Sequence, residues 1–360
     1  MPAAVPVETA PAARPAPGGA GPSGRGYLGR LVLGLVLLLA GVDALVVAAV
    51  EPLALADRHA KDATPVRRLA LYHQAPRPDV LLLGSSRVQA GLSPSLLMNR
   101  VQATLGRRPQ ILNLGLAGGT PQANYWLLKN AITADKQPAL IIYGTSEYEF
   151  NPYSPLLPDN YADELATLAD YGQAFPDPLA RIDAQLAYLL GRPWHLVRYR
   201  GTLHDTLGDL VAPDDPAAPV DDAYGFLPLN HQMTAIDVRQ MRATYLGPRG
   251  YLRDYTVQGY QATRFEQLLA LAQARGIRVA VINMPITTVH EHFLAPADYA
   301  AYRTYLQTTT ARYGVPFVDY NNHALWQEPG DFADTHHLNR VGAKKLSQLV
   351  STDVLLPALR

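Results

Sequence analysis

The stretch DVLLLGSSR at residues 79–87 decides the fold and contains a candidate nucleophile. Asp79–Leu83 is a short apolar run, which predicts a strand, and Gly84 ends it. Ser86 then lies on the turn that leads from this strand into a helix. A serine there is exposed at the carboxyl end of the strand, and its backbone N–H is well placed to stabilise an oxyanion. Gly-Ser pairs after strands are also common as simple turns or helix caps, so this stretch alone leaves both interpretations open.

Strand and helix patterns alternate along the rest of the chain. Further strands are predicted at Gln110–Leu114, Ala139–Tyr143, Ile277–Met284 and Pro316–Asp319. Helices are predicted at Pro94–Leu105, about 122–134, Gln261–Arg275, Ala297–Tyr313 and about 339–355. Such alternation predicts a parallel sheet with helices on both faces, whose ligands sit beyond the carboxyl ends of the strands. The alternation breaks down over about 151–257, which we interpret as an irregular insertion within a domain at 79–360.

The first 50 residues have a different character. Residues 1–26 are almost entirely Pro, Ala, Gly and Ser and predict a disordered tail. Leu31–Val50 is apolar except for Asp43, and twenty residues of helix span about 30 Å, the thickness of a bilayer core. We therefore predict a transmembrane anchor at 27–50 and a juxtamembrane segment at 51–78.

The charges around this anchor predict its orientation. Arg14, Arg25 and Arg30 precede the apolar stretch, which places the N-terminus in the cytoplasm and the rest of the chain outside. A cleaved signal peptide is the alternative, but its apolar region usually spans only about 7–15 residues. Asp43 is costly within a membrane, so it either contacts a membrane partner or is tolerated by a shift or tilt of the helix.

Composition excludes several classes of function. The chain has no cysteine, which excludes disulfides, thiol nucleophiles and cysteine zinc sites. Lys and Arg together number 31, as do Asp and Glu, so no basic surface indicates nucleic acid. We predict no cofactor and no metal site, since the histidine pair at 290 and 292 is typical of a solvated loop.

A second polar tract lies just before the last predicted helix. Asp334-Thr335-His336-His337 follows the last predicted strand in one tight loop. A serine nucleophile needs a base to take its proton, and the base needs an anion to hold its tautomer. Asp334 and His337 supply both groups from one loop. The alternative is that Asp334 caps a turn and the histidines are exposed.

Four short blocks, in order over about residues 79–345, resemble the SGNH/GDSL hydrolase superfamily. They are Gly84-Ser85-Ser86, the tract NLGLAGGT at 113–120, Gly144-Thr145-Ser146-Glu147, and Asp334 to His337. The resemblance implies a flavodoxin-like three-layer α/β/α SGNH fold. It also implies a catalytic triad of Ser86, Asp334 and His337 that transfers an acyl group through an acyl-enzyme.

The resemblance also implies an oxyanion hole. Its donors are the backbone N–H groups of Ser86 and Gly118, assisted by Ser146. The chain departs from the family pattern at Ser85, where many members have Asp, and at Ser146, where Asn is usual. Loss of one oxyanion donor typically lowers the rate by about 10²–10³. The Gly-Ser-Ser form is familiar in anchored relatives such as the D-alanyl-lipoteichoic acid biosynthesis family.

Three further residues are candidates for substrate binding. Arg87 adjoins the nucleophile and Glu147 follows the third block, so each either contacts substrate or pairs within the protein. Asn283 ends a predicted strand at the same edge of the sheet and is expected to line the cleft.

The resemblance favours an extracytoplasmic serine esterase or O-acyltransferase. Its expected substrates are acyl esters of cell-surface polysaccharide or exopolysaccharide. Like the lipoteichoic acid and alginate O-acetyltransferase families, it is expected beside a multi-spanning membrane acyltransferase, contacted through the membrane helix and Asp43. The alternatives are a stand-alone lipase or carbohydrate esterase, and a non-catalytic SGNH-like assembly protein.

Overall fold

The computed structural model describes residues 24–56, 65–154, 161–174, 178–191 and 222–360, with a few isolated residues between 192 and 221. The predicted tail therefore lies almost wholly outside the described residues, as do residues 57–64 and parts of the predicted insertion.

Within the described residues, the strands form one parallel sheet in the order β2-β1-β3-β4-β5. They are β1 (Val80–Leu83), β2 (Ile111–Asn113), β3 (Leu140–Thr145), β4 (Arg278–Asn283) and β5 (Phe317–Asp319). This is the flavodoxin-like order. The predicted fold class is confirmed, and each predicted strand overlaps an observed one.

Helices precede, separate and follow these strands along the chain. In chain order they are α1 (Gly24–Ala56), α2 (Pro65–Gln74), α3 (Ser86–Gly91), α4 (Pro94–Leu105), α5 (Pro121–Trp126), α6 (Ala162–Leu165), α7 (Leu168–Ala174), α8 (Pro178–Gly191), α9 (Ala235–Leu246), α10 (Tyr260–Ala274), α11 (Thr288–Glu291), α12 (Pro296–Arg312), α13 (Arg340–Val350) and α14 (Leu356–Leu359). Single π-helical turns continue α5 at Leu127–Ala131 and α13 at Ser351–Leu355. Elements from α2 onward belong to the compact unit Val46–Arg360.

Side chains of the sheet alternate between two hydrophobic layers. Leu81 and Leu83 of β1 point into one layer, together with apolar residues of α5, α10 and α12. Val80 and Leu82 point into the other layer, with residues of α4 and α13. A strand covered on both faces has no polar side to present, which explains the unbroken apolar run in the sequence.

Capping residues fix the helix boundaries that flank the site. Ser93 accepts a hydrogen bond from the backbone N–H of Leu96 at the start of α4, and Pro94 occupies the first turn. Asn339 caps α13 by accepting hydrogen bonds from the N–H groups of Val341 and Gly342. This cap places the polar loop 334–337 directly before the helix.

The N-terminal helix α1 contains Tyr27–Val50, a segment long and apolar enough to cross a membrane. Its mean hydropathy is 2.7. A membrane anchor and a signal sequence both have these properties, so the segment supports either interpretation.

Gly84 permits the turn that ends β1. Its φ is +145°, and a Cβ there would lie 2.4 Å from the carbonyl oxygen of Gly144 and 2.5 Å from Cγ2 of Val88. Only glycine allows this close approach of β1 to β3.

We expect Gly84→Ala to lower the free energy of unfolding by more than about 3 kcal/mol, because overpacking adds to backbone strain. Gly106→Ala is the matched control, since Gly106 also has a positive φ, +71°, but open space around it. The control should cost about 1–2 kcal/mol. Denaturant titration of the full chain in detergent measures both, and equal losses would contradict the steric argument.

Candidate active site

Ser86 lies at the carboxyl end of β1, as the first residue of α3. Ser85 caps this helix by accepting a hydrogen bond from the N–H of Arg87. The turn is held from two sides, since the N–H of Gly84 donates to Asn124 Oδ1 at 3.1 Å and its carbonyl accepts from Leu116 at 3.0 Å. The hydroxyl of Ser86 is thereby fixed at the edge of the sheet and stays partly accessible.

The structure brings the three predicted triad residues together. Ser86 Oγ lies 2.8 Å from Nε2 of His337. Nδ1 of His337 lies 2.7 Å from Oδ2 of Asp334. A continuous hydrogen-bonded chain therefore runs from the serine hydroxyl through the imidazole to the carboxylate, which is the arrangement that proton abstraction from serine requires.

The Asp334 carboxylate is partly buried and well compensated. Its Oδ1 accepts hydrogen bonds from the backbone N–H groups of His336 and His337, both at 2.8 Å. Burial opposes the charge, yet the neighbouring His336 and His337 and these hydrogen bonds hold the pKa of Asp334 well below its ordinary value. The carboxylate is therefore charged at neutral pH and can orient and stabilise the imidazole.

A pocket of about 220 Å³ opens onto this chain. Its lining includes the three triad residues and Gly118, whose φ is +61°. The rest of the wall is largely aromatic and comes from residues Tyr148, Met241, Thr244, Tyr245, Tyr251 and His336. Tyr245 packs edge-on against both Tyr148 and Tyr251, with ring centroids 5.6 and 5.2 Å apart.

The pocket wall also contains residues from α9 and the segment after it, which no pattern in the sequence indicated. Met241, Thr244, Tyr245 and Tyr251 lie in the predicted insertion, far along the chain from the four blocks. Tyr245 was detectable only as one tyrosine among many, since helix α9 carries no strong apolar face. The insertion therefore contributes directly to the pocket.

The oxyanion candidates differ in their positions. Ser86 and Gly118 both line the pocket. Ser146 follows β3, is fully buried, and its hydroxyl has no hydrogen-bond partner among the described residues. It is not among the lining residues of the pocket. Its assistance to an oxyanion stays a prediction.

Arg87 and Glu147 are paired with each other. The guanidinium donates two hydrogen bonds to the carboxylate, at 2.8 and 2.7 Å, and both side chains are 1% exposed. Burial opposes the charge of Glu147, but Arg87 and a hydrogen bond from His290 hold its pKa below the ordinary value. This geometry favours the pairing interpretation, and a contact of either residue with substrate stays a prediction.

Asn283 is also occupied within the protein. Its Nδ2 donates to Asp319 Oδ1 at 2.8 Å and to the hydroxyl of Tyr299 at 3.2 Å, and its Oδ1 accepts from Tyr302. The side chain is 1% exposed and does not line the described pocket. A role of Asn283 in substrate binding stays a prediction.

Potential ligand atoms of Asp334, His336 and His337 lie within 4.8 Å of one another. However, both ring nitrogens of His337 are engaged, one with Ser86 and the other with Asp334. The arrangement therefore suits proton transfer better than metal coordination.

Comparison with protein-family models finds no match, and neither does comparison with curated proteins. Several solved structures have a similar fold. The lipase/acylhydrolase from Enterococcus faecalis shares 14% identity over 76% of this chain and 94% of its own, with a TM-score of 0.38. A GDSL-like lipase from Bacteroides thetaiotaomicron shares 12% over 82% and 98%, with a TM-score of 0.37. A carbohydrate acetylesterase family member from Sinorhizobium meliloti shares 9% over 78% and 100%, with a TM-score of 0.35.

At these identities the likenesses concern the fold alone, so function has to follow from the chain's own residues. Those residues define an α/β/α protein in which serine, histidine and aspartate form one hydrogen-bonded chain at the carboxyl edge of a parallel sheet.

Glu149, close to the nucleophile turn, has an unusual environment. Both of its carboxyl oxygens are buried without a hydrogen-bond partner among the described residues. Burial raises the pKa of Glu149 to about 8, although the nearby Ser85 hydroxyl, the charge of Arg87 and the Ser146 hydroxyl act in the opposite direction without meeting the geometry of a hydrogen bond. The side chain is therefore mainly protonated at neutral pH.

The contribution of Glu149 to folding stability should consequently fall as pH rises from about 4.5 to about 8, because folded Glu149 keeps a proton that the unfolded chain loses. Glu149→Gln keeps the shape and stays neutral. Its stability relative to wild type should increase with pH over this window and then level off. Thermal unfolding of both proteins at several pH values tests this, and a difference independent of pH would contradict the raised pKa.

Proposed function

We propose that this protein is a serine esterase or O-acyltransferase that acts through an acyl-enzyme. The observation that carries the proposal is the hydrogen-bonded chain from Ser86 through His337 to Asp334, open on a pocket. A charged carboxylate behind an imidazole, with a hydroxyl in front of it, is the arrangement that activates a serine hydroxyl for attack.

The reaction follows from the positions of these atoms. Nε2 of His337 takes the proton of Ser86 as Oγ attacks the ester carbonyl, and Asp334 stabilises the imidazolium that forms. The imidazolium then protonates the leaving alcohol, which leaves the acyl group on Ser86. Water or a sugar hydroxyl, deprotonated by His337, attacks the acyl-enzyme and releases the serine.

The negative charge on the tetrahedral oxygen needs donors in the pocket. The backbone N–H groups of Ser86 and Gly118 are the candidates, because both residues line the same pocket. The positive φ of Gly118 is a conformation that favours glycine, which supports a fixed backbone geometry at that point.

The pocket and the N-terminal helix support a class of substrate. A volume of about 220 Å³ suits a small acyl group rather than a long chain, and Tyr251 is the partly exposed tyrosine of the wall, available to contact a sugar. The apolar helix at Tyr27–Val50 and the arginines before it support an anchored protein whose catalytic domain lies outside the cytoplasmic membrane. The proposed substrates are acyl esters of cell-surface polysaccharide or exopolysaccharide.

Covalent labelling tests the nucleophile. The full chain in detergent should react with a fluorophosphonate, which phosphonylates activated serines, and Ser86→Ala should abolish the reaction. Ser95→Ala is a matched control on helix α4 and should label as wild type. Labelling of Ser86→Ala at the wild-type rate would contradict the proposed nucleophile.

Turnover distinguishes hydrolysis from transfer, because the two differ only in what attacks the acyl-enzyme. Rapid turnover of a short acyl ester in water alone would favour a stand-alone esterase. Turnover that requires an added sugar acceptor would favour a transferase. A chain that does not label at all would support the third candidate, a non-catalytic assembly protein.

The proposed partner is a multi-spanning membrane acyltransferase that contacts the anchor helix near Asp43. Carboxyl groups in membrane spans are rare and commonly mark functional positions, which supports this helix as the contact surface. We expect Asp43→Leu to abolish co-purification with such a partner, whereas Val42→Leu, a change between apolar residues, should preserve it. Pull-down from membranes followed by mass spectrometry measures both, and unchanged recovery with Asp43→Leu would argue against this role.

A further inference from the structure

A buried chain of polar side chains runs beneath the pocket. The hydroxyl of Thr335 lies 2.8 Å from Nδ1 of His290, and Nε2 of His290 lies 3.0 Å from Oε1 of Glu147. Glu147 in turn accepts both hydrogen bonds from Arg87. All four side chains are between 0 and 1% exposed, so water cannot replace any of these contacts.

One assignment of donors and acceptors satisfies the chain. Burial lowers the pKa of His290, so its ring is neutral and carries one donor and one acceptor nitrogen. Two groups face Nε2 of His290: the Glu147 carboxylate, which only accepts, at 3.0 Å, and Arg87 Nη2, which only donates, at 3.3 Å. The carboxylate is the closer of the two, so Nε2–H of His290 donates to it. Nδ1 of His290 then accepts the hydroxyl proton of Thr335. The hydrogen bond to Glu147 requires the proton of the ring to be on Nε2, which leaves Nδ1 free to accept from Thr335. The two hydrogen bonds of His290 therefore depend on the same tautomer.

The two ends of this chain adjoin the proposed triad. Arg87 is the residue after Ser86, and Thr335 lies between Asp334 and His337 in the polar loop. Ser86 belongs to helix α3 and His337 to the loop before α13, and among the described residues no pair of hydrogen-bonded strands connects these two segments. The polar chain is thus a second, buried connection between the nucleophile helix and the histidine loop.

His290 is held firmly at the centre of this connection. The hydroxyl of Thr287 caps helix α11 by accepting from the N–H of His290 at 3.1 Å, and it donates to the carbonyl of Thr335 at 2.8 Å. The ring of His290 packs against Tyr245 and His336, with centroids 4.5 and 5.0 Å away. Both of these rings line the pocket, so His290 supports its floor without lining it.

We propose that His290 is a positioning residue which, through its hydrogen bonds to Thr335 and Glu147, sets the distance between Ser86 and His337. This inference rests on the proposed function, because it concerns the same hydroxyl and imidazole. His290 touches none of the reacting atoms. It acts by fixing the loop that carries His337 relative to the helix that carries Ser86, and a displacement of about 1 Å in such a pair can lower the rate by about 10²-fold.

A matched pair of substitutions at Thr335 tests the proposal. Thr335→Val keeps the shape but removes the hydroxyl that His290 needs, whereas Thr335→Ser keeps the hydroxyl. We expect Thr335→Val to lower kcat for a short acyl ester by between about 10-fold and 100-fold with little change in KM, because the lining of the pocket is retained. Thr335→Ser should stay within about threefold of wild type. The rate of fluorophosphonate labelling should follow kcat.

A second substitution separates positioning from folding. His290→Phe keeps a ring of similar size and should lower kcat as Thr335→Val does. Because both variants remove the same hydrogen bond, Thr335→Val should have little further effect when His290 is already Phe. Each rate is divided by the fraction of the protein that is folded. Thermal unfolding of the full chain in detergent measures that fraction.

The outcomes distinguish the alternatives. Unchanged kcat with only a lowered unfolding temperature in Thr335→Val would show a structural role and overturn the proposal. Fully additive losses in the double variant would also overturn it, since the two residues would then act separately. If Ser86→Ala still labels, the proposed function itself fails. If Ser86→Ala abolishes labelling and Thr335→Val labels at the wild-type rate, only the positioning role fails.

Discussion

The hydrogen bond between Ser86 and His337 joins residues 251 positions apart. The rest of the structure has to hold these two side chains at hydrogen-bonding distance. This hydrogen bond tolerates little displacement, so the surrounding structure must hold both of its ends in place. Gly84 lets β1 approach β3 closely at one end, and the Asn339 cap of α13 holds the histidine loop at the other.

Buried charge is managed in two ways around this bond. Partly buried Asp334 and fully buried Glu147 stay ionised because histidine, arginine or backbone N–H groups surround them. Glu149 makes no hydrogen bond with the described residues, and burial outweighs the charge of nearby Arg87, which leaves Glu149 mainly protonated near neutral pH. The difference between these three carboxyl groups has one cause. A carboxylate that leaves water must find equivalent hydrogen-bond donors or become protonated.

Local patterns predicted the framework well. Apolar runs at the strands and the helical pattern that starts at Pro94 are short-range signals, so their elements were located within a few residues. The roles of Arg87 and of His290 were not predictable in this way. A histidine on a short helix looks solvated in sequence, and only packing against Tyr245 and Thr335 buries it.

By itself the sequence determined the α/β alternation, the apolar N-terminal helix and the candidate triad, because each depends on neighbouring residues or on short motifs. Only the tertiary structure decided that Ser86 faces His337, that Arg87 is committed to Glu147, and that the insertion lines the pocket. Those facts depend on contacts between segments more than 50 residues apart. Such contacts leave no periodicity in the chain and arise only when the sheet has brought its strand ends together.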